Sequence, residues 1–193
     1  LRSHNAEHMH HAARYTALGD DIEYRKGAPL YERAARQQAL ARSGAQLHLN
    51  LHGYPAHEWT RPLSGYVPRG FELWTIPKGF FLILRYHPGW QNEAMALLHA
   101  VCTALNEVPG LTAFTARQMA LSERPAGPLR SEVFDGTPYP ATEIANPDSA
   151  PVTLITEYPD ETVEGDDFRL AHTVQMQTVL AATAAWQKLA RKN

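Results

Sequence analysis

The residue types best suited to chemistry crowd into one run, Ala45 to Thr60, "AQLHLNLHGYPAHEWT", which carries His48, His52, His57, Glu58 and Trp59. Leucine alternates with polar residues from Leu47 to His52. On a strand, therefore, Leu47, Leu49 and Leu51 point one way while His48, Asn50 and His52 point the other. Imidazole is a common metal ligand, but spacing limits which histidines can share one ion. Four strand residues span about 13 Å, whereas two ligands of one zinc lie within about 4 Å of each other. His48 and His52 therefore cannot share a metal. His52 is the candidate ligand, His48 reads as a packed or hydrogen-bonded histidine, and His57 sits where a loop can curl back toward His52.

A second residue occupies a similar position. In "PVTLITEYP" the side chains of Thr153, Ile155 and Glu157 share a face, and Glu157 ends the strand that begins at Pro151, as His52 ends the one that begins at Gln46. In open α/β sheets, chemistry collects beyond the C-terminal ends of the strands. A lone carboxylate there is often just solvated at a loop mouth; paired with His52, it becomes a candidate for proton transfer. A third group lies in "SHNAEHMHHAARY", where His4, Glu7, His8 and His11 fall on one helical face. That spacing suits zinc or nickel, and it equally suits a solvated helix end.

These residues need elements to hold them, and the pattern supplies helices and strands in alternation. Residues 4–18 read as a helix stopped at Gly19, and "PLYERAARQQALARSG" as a second, with Pro29 near its first turn and Gly44 closing it. Strand 46–52 follows. "GFELWTIPKGFFLILRYHPG" reads as two short strands broken at Pro77–Gly79, and residues 90–108 as a helix ended by Pro109–Gly110. A Pro- and Gly-punctuated region runs from Pro125 to Pro151, then a buried strand to Glu157, and a long helix from Phe168 to Arg191. Such alternation predicts an α/β layer structure whose sheet is at least partly parallel.

Composition narrows the function classes. With 193 residues, 44% hydrophobic and 20% charged, the chain is long enough for one real core and is read as a single domain, 1–193. A formal charge of −2 with scattered Lys and Arg gives no electrostatic case for nucleic acid or an anionic membrane. No run approaches the ~18 apolar residues of a membrane span. The lone Cys102 lies in an apolar helical pattern, reads as a small core residue and fits a reducing compartment, the cytoplasm. The chain begins at Leu1 rather than methionine and is therefore read as a processed or truncated piece.

The run "LHLNLHGYPAHEW", a strand ending in His-Gly-Tyr, resembles the segment of zinc carboxypeptidases (the carboxypeptidase A-like metallopeptidases) that supplies the third zinc ligand, usually as His-Ser-Tyr. "VTLITEYPDE" resembles that family's strand ending in the catalytic glutamate and leading into a C-terminal helix. Gly53 stands in place of the usual serine. The family's upstream His-x-x-Glu motif and its Asn-Arg pair have no counterpart in the right place; His4-Asn5-Ala6-Glu7 has the letters but lies in a helical pattern close to His52. The resemblance therefore implies the C-terminal half of a three-layer α/β/α fold with a mixed, partly parallel sheet, its N-terminal half apparently missing.

It also implies roles. The cofactor is zinc, with His52 one of three protein ligands. Glu157 is the general base that takes the proton of the attacking water and passes it to the leaving amine. Tyr54 lines the substrate cleft, and Tyr139 in "DGTPYP" is the candidate for the family's mobile tyrosine, being otherwise a turn residue. The substrate is a peptide cleaved at its C-terminal end, and the expected partner is a companion N-terminal fragment or a second copy of the chain. Room for a metal and its water would hold the tips of His52 and Glu157 about 5 to 8 Å apart. The alternative is a non-catalytic peptide-binding or structural α/β domain without a complete zinc site.

Overall fold

The computed structural model describes residues 31–54, 79–126, 131–159 and 164–190. They fall into two compact units, one of residues up to Gln46 together with Pro147–Ala150, the other of Leu47–Asn146 and the residues from Pro151 onward. The sequence expectations for helix 4–18, for its histidine face, for His57 and for a strand before Pro77 lie outside the described residues.

In the first unit, helix α1 (Tyr31–Ser43) ends at Gly44, which takes a left-handed φ of 59° and returns its N–H to Leu40 O at 3.0 Å. Glycine adopts that conformation without the Cβ clash other residues meet.

The second unit is built on a four-stranded mixed sheet. Its strands are β1 (Leu47–Tyr54), β2 (Phe81–Tyr86), β5 (Ala141–Glu143) and β6 (Val152–Pro159), in the order β1-β6-β2-β5. β1 and β6 are parallel, β6 and β2 antiparallel, β2 and β5 parallel. The apolar run of β6 suits its central place, where nearly every residue is buried, as strands covered on both sides require.

Three helices serve this sheet: α2 (Gln91–Asn106), α3 (Leu111–Ala126) and α4 (Gly165–Ala190). Helix α2 buries Ala94, Leu97, Leu98, Val101, Cys102 and Leu105, the i, i+3, i+4 stripe of an amphipathic helix. It packs against α4, and Trp90 at its start stacks on Trp186 near the far end of α4, with centroids 6.2 Å apart. Both helices share a core with Leu82, Leu84, Tyr86, Val152, Leu154 and Tyr158, and Phe114 of α3 stacks on Tyr158 at 5.2 Å. Side chains that alternate along paired strands divide cleanly here. Leu47 and Leu49 join the helix-covered face, and His48, Asn50 and His52 line the opposite one with Thr153, Ile155 and Glu157.

Between α2 and β5 the chain forms elements the pattern did not predict. Helix α3 buries only Leu111, Phe114 and Thr115 among residues 111–120, a stripe too narrow to read from periodicity. Strands β3 (Glu132–Phe134) and β4 (Thr137–Tyr139) make a hairpin turned at Asp135–Gly136, both with positive φ, 45° and 76°. Asp-Gly is the usual signal for such a two-residue turn.

Candidate functional site

His52 and Glu157 come together because two parallel strands run in register. Leu47 pairs with Val152, and the ladder continues so that His52 lies opposite Glu157, each two residues from the end of its strand. Paired residues of a sheet point to the same face, and neighbouring strands lie about 4.8 Å apart. The imidazole and the carboxylate therefore meet directly, His52 Nδ1 to Glu157 Oε2 at 3.0 Å. That is closer than the 5 to 8 Å a metal and its water would need between the tips; strands in register leave no such gap.

The contact also assigns a tautomer. A carboxylate only accepts, so the proton of a neutral imidazole sits on Nδ1 and the lone pair of Nε2 is directed away from Glu157. The His52 side chain is 58% exposed and that of Glu157 13%, so the ring reaches outward from a largely shielded carboxylate. Such a ring, oriented by a carboxylate at one nitrogen, can ligate a metal through the other. Among the described residues no three His, Cys, Asp or Glu side chains gather closely enough to hold a metal ion.

Two further side chains fix the backbone at His52. Its N–H donates to Thr156 Oγ1 at 3.1 Å, and its carbonyl accepts from Gln175 Nε2 at 3.1 Å. The Thr156 hydroxyl in turn donates to Gln175 Oε1 at 2.7 Å. Neither residue stands out in the sequence: Thr156 is one β-branched residue in an apolar strand, and Gln175 one glutamine on a long helix.

The other predicted residues lie in different settings. Tyr54 is on the same sheet face as His52, 5% exposed, with its hydroxyl donating to Gly79 O at 2.8 Å and its ring tilted against Phe81. Tyr139 belongs to the β3–β4 ribbon, also 5% exposed, and its hydroxyl donates to Glu132 Oε2 at 2.7 Å. Burial, reinforced by the Glu132 hydrogen bond and charge, pushes its pKa up to about 12. His48, four residues before His52, lies opposite Thr153 and is half-buried, well down the sheet from the pair. Cys102 is fully buried in α2, as its apolar pattern suggested.

No protein-family model matches this chain, and no curated protein sequence is significantly similar to it.

Proposed function

We propose that the chain carries the glutamate-bearing half of a zinc-dependent, carboxypeptidase-like peptide hydrolase, with a three-layer α/β/α architecture in the intact protein. One observation carries the reading: His52 and Glu157, far apart in sequence, share the C-terminal ends of two neighbouring parallel strands and touch there. In this reading His52 holds zinc through Nε2, and the remaining ligands come from outside the described residues. Zinc, when bound, polarises the scissile carbonyl and makes water a stronger acid.

Zinc on Nε2 would lie across the ring from Glu157, so the carboxylate performs its two tasks in turn: Oε2 orients His52 in the described state, and Glu157 leaves Nδ1 to accept the proton of the attacking water and return it to the departing amine. Tyr54, locked to Gly79, is a fixed wall of the cleft rather than a moving part. Tyr139 reaches a substrate only by giving up its bond to Glu132. The substrate class is a peptide with a free C-terminus.

The test uses the full-length protein, with zinc content and the release of a C-terminal residue from a blocked dipeptide as readouts. Glu157→Gln keeps an acceptor for Nδ1–H but takes up no proton, so turnover falls by the ~10²–10⁴ typical of general acid–base catalysis while zinc stays bound. His52→Ala loses the metal. If Glu157→Gln sheds zinc as readily as His52→Ala, Glu157 orients the ligand and is not the base. A wild-type protein that binds no zinc and releases no C-terminal residue favours the alternative, a peptide-binding or structural domain in which the direct 3.0 Å contact is simply a polar pair.

A further inference from the structure

We infer that Thr156 and Gln175 are positioning residues, a clamp from β6 and α4 that holds the end of β1 so that the His52 ring keeps its place and tautomer. The inference deepens the reading of His52 and Glu157 as the working pair and rests on it. β1 is one of the two edge strands of the described sheet, and His52 lies two residues from its end, followed by Gly53. Strand ends at a sheet margin are where a ladder opens first, and glycine adds no side chain to resist it. Loosening of that end would carry the His52 ring away from its 3.0 Å contact with Glu157.

The clamp opposes this at both peptide groups flanking the His52 Cα, through the N–H of one and the carbonyl of the next. The His52 carbonyl can only accept, so the Gln175 amide must present Nε2 to it, which turns Oε1 toward Thr156. The Thr156 hydroxyl has two acceptors in reach, Gln175 Oε1 at 2.7 Å and the His52 carbonyl at 3.2 Å, and the shorter contact is the stronger claim on its proton. The hydroxyl lone pairs are then left to receive the His52 N–H at 3.1 Å. Gln175 is itself well anchored, since Val174 beside it and Thr178 one turn on are buried, at 0% and 1% exposure. Thus β1, β6 and α4 meet at one backbone unit, and it belongs to the residue that carries the ring.

Nitrogen-15 NMR of the histidine ring reads the clamp directly, with the His52 signal identified by its loss in His52→Ala. In the wild-type full-length protein the ring is expected as the Nδ1–H tautomer. Gln175→Met keeps length and loses both hydrogen bonds, and Thr156→Val keeps shape and loses the hydroxyl. Both are expected to give mixed tautomers and to lower zinc affinity by about tenfold or more, the scale of losing an outer-shell partner. Gln175→Glu, which sets a carboxylate oxygen against the His52 carbonyl, should do the same, and Thr156→Ser should restore wild-type behaviour. Thr178→Val loosens the same helix without touching His52, its hydroxyl being bonded to Val174 O at 2.8 Å, and serves as the structural control.

An unchanged His52 signal in Gln175→Met and Thr156→Val overturns the inference, as does an equal disturbance in Thr178→Val. If the wild-type protein binds no zinc but the ring signal still responds to the clamp variants, the clamp stands and the zinc reading falls.

Discussion

Burial acts on individual ionisable side chains here in ways that can be measured. Cys102 sits in the core face of α2, and desolvation, with the nearby Asp135 charge, pushes its thiol up to about 12. The thiolate is the reactive form, so the native protein should not react with a disulfide reagent at pH 8, and the one thiol should appear on denaturation. Tyr139 makes a pH prediction with a definite sign. Its native pKa, about 12, lies above the ordinary value of 10.0, so the folded state keeps a proton that the unfolded chain releases first. Its contribution to stability is therefore complete below pH 10 and is lost as pH rises toward 12. Denaturation midpoints measured across that window should fall with pH, and less steeply in Tyr139→Phe. That His52 and Glu157 lie toward the C-terminal ends of strands was readable from the sequence, because each sits in a run with a clear pattern; their direct contact was not, since it depends on the register of two strands distant in sequence. The roles of Thr156 and Gln175 were not, since a hydrogen bond between residues distant in sequence leaves no local mark.

At the scale of elements, one close approach matters more than the rest. Gly79 precedes β2 with φ 82°, and a Cβ there would lie 2.7 Å from Thr115 Cα in α3. Backbone cannot step aside as a flexible side chain can. Gly79→Ala should therefore destabilise the protein by roughly 3 kcal/mol or more, combining left-handed strain with the clash. Gly110, at φ 86° but with open space around it, provides the comparison: its Ala variant meets strain alone and should lose only about 1 kcal/mol. Urea denaturation of both variants measures the difference. Elements with broad apolar stripes, α2 and β6, follow from periodicity alone, and β1 from its alternation. Helix α3 and the short strands β3, β4 and β5 do not, because three-residue strands are held by tertiary pairing rather than by propensity.

At the scale of the whole molecule, the β1 margin of the described sheet is where association can be tested. Among the described residues β1 pairs only with β6, and Leu51 on it is 49% exposed. Such an edge is a template for another strand. The expected outcome is that the chain of residues 1–193 sediments as more than a monomer, and that Leu51→Lys returns it toward the monomer. A strictly monomeric wild-type chain would remove the case for a companion segment or second copy at this edge. No single described helix is long and apolar enough to cross a membrane.

The place of β6 in the sheet has a consequence for how the protein is made. β6 is the last of the described strands in the chain, yet it lies between β1 and β2, and every pairing in the sheet except that of β2 with β5 passes through it. His52 leaves the ribosome 105 residues before Glu157, and Gln175 follows later still. At ~5–20 residues per second, the histidine waits roughly 5 to 20 s for the carboxylate it faces. During that interval β1 has no described neighbour to pair with, so the contact between the two side chains cannot form before the sheet is closed. A chain arrested before residue 152 should therefore be captured by a chaperone that binds exposed strands, and release should come only once α4 has been synthesised.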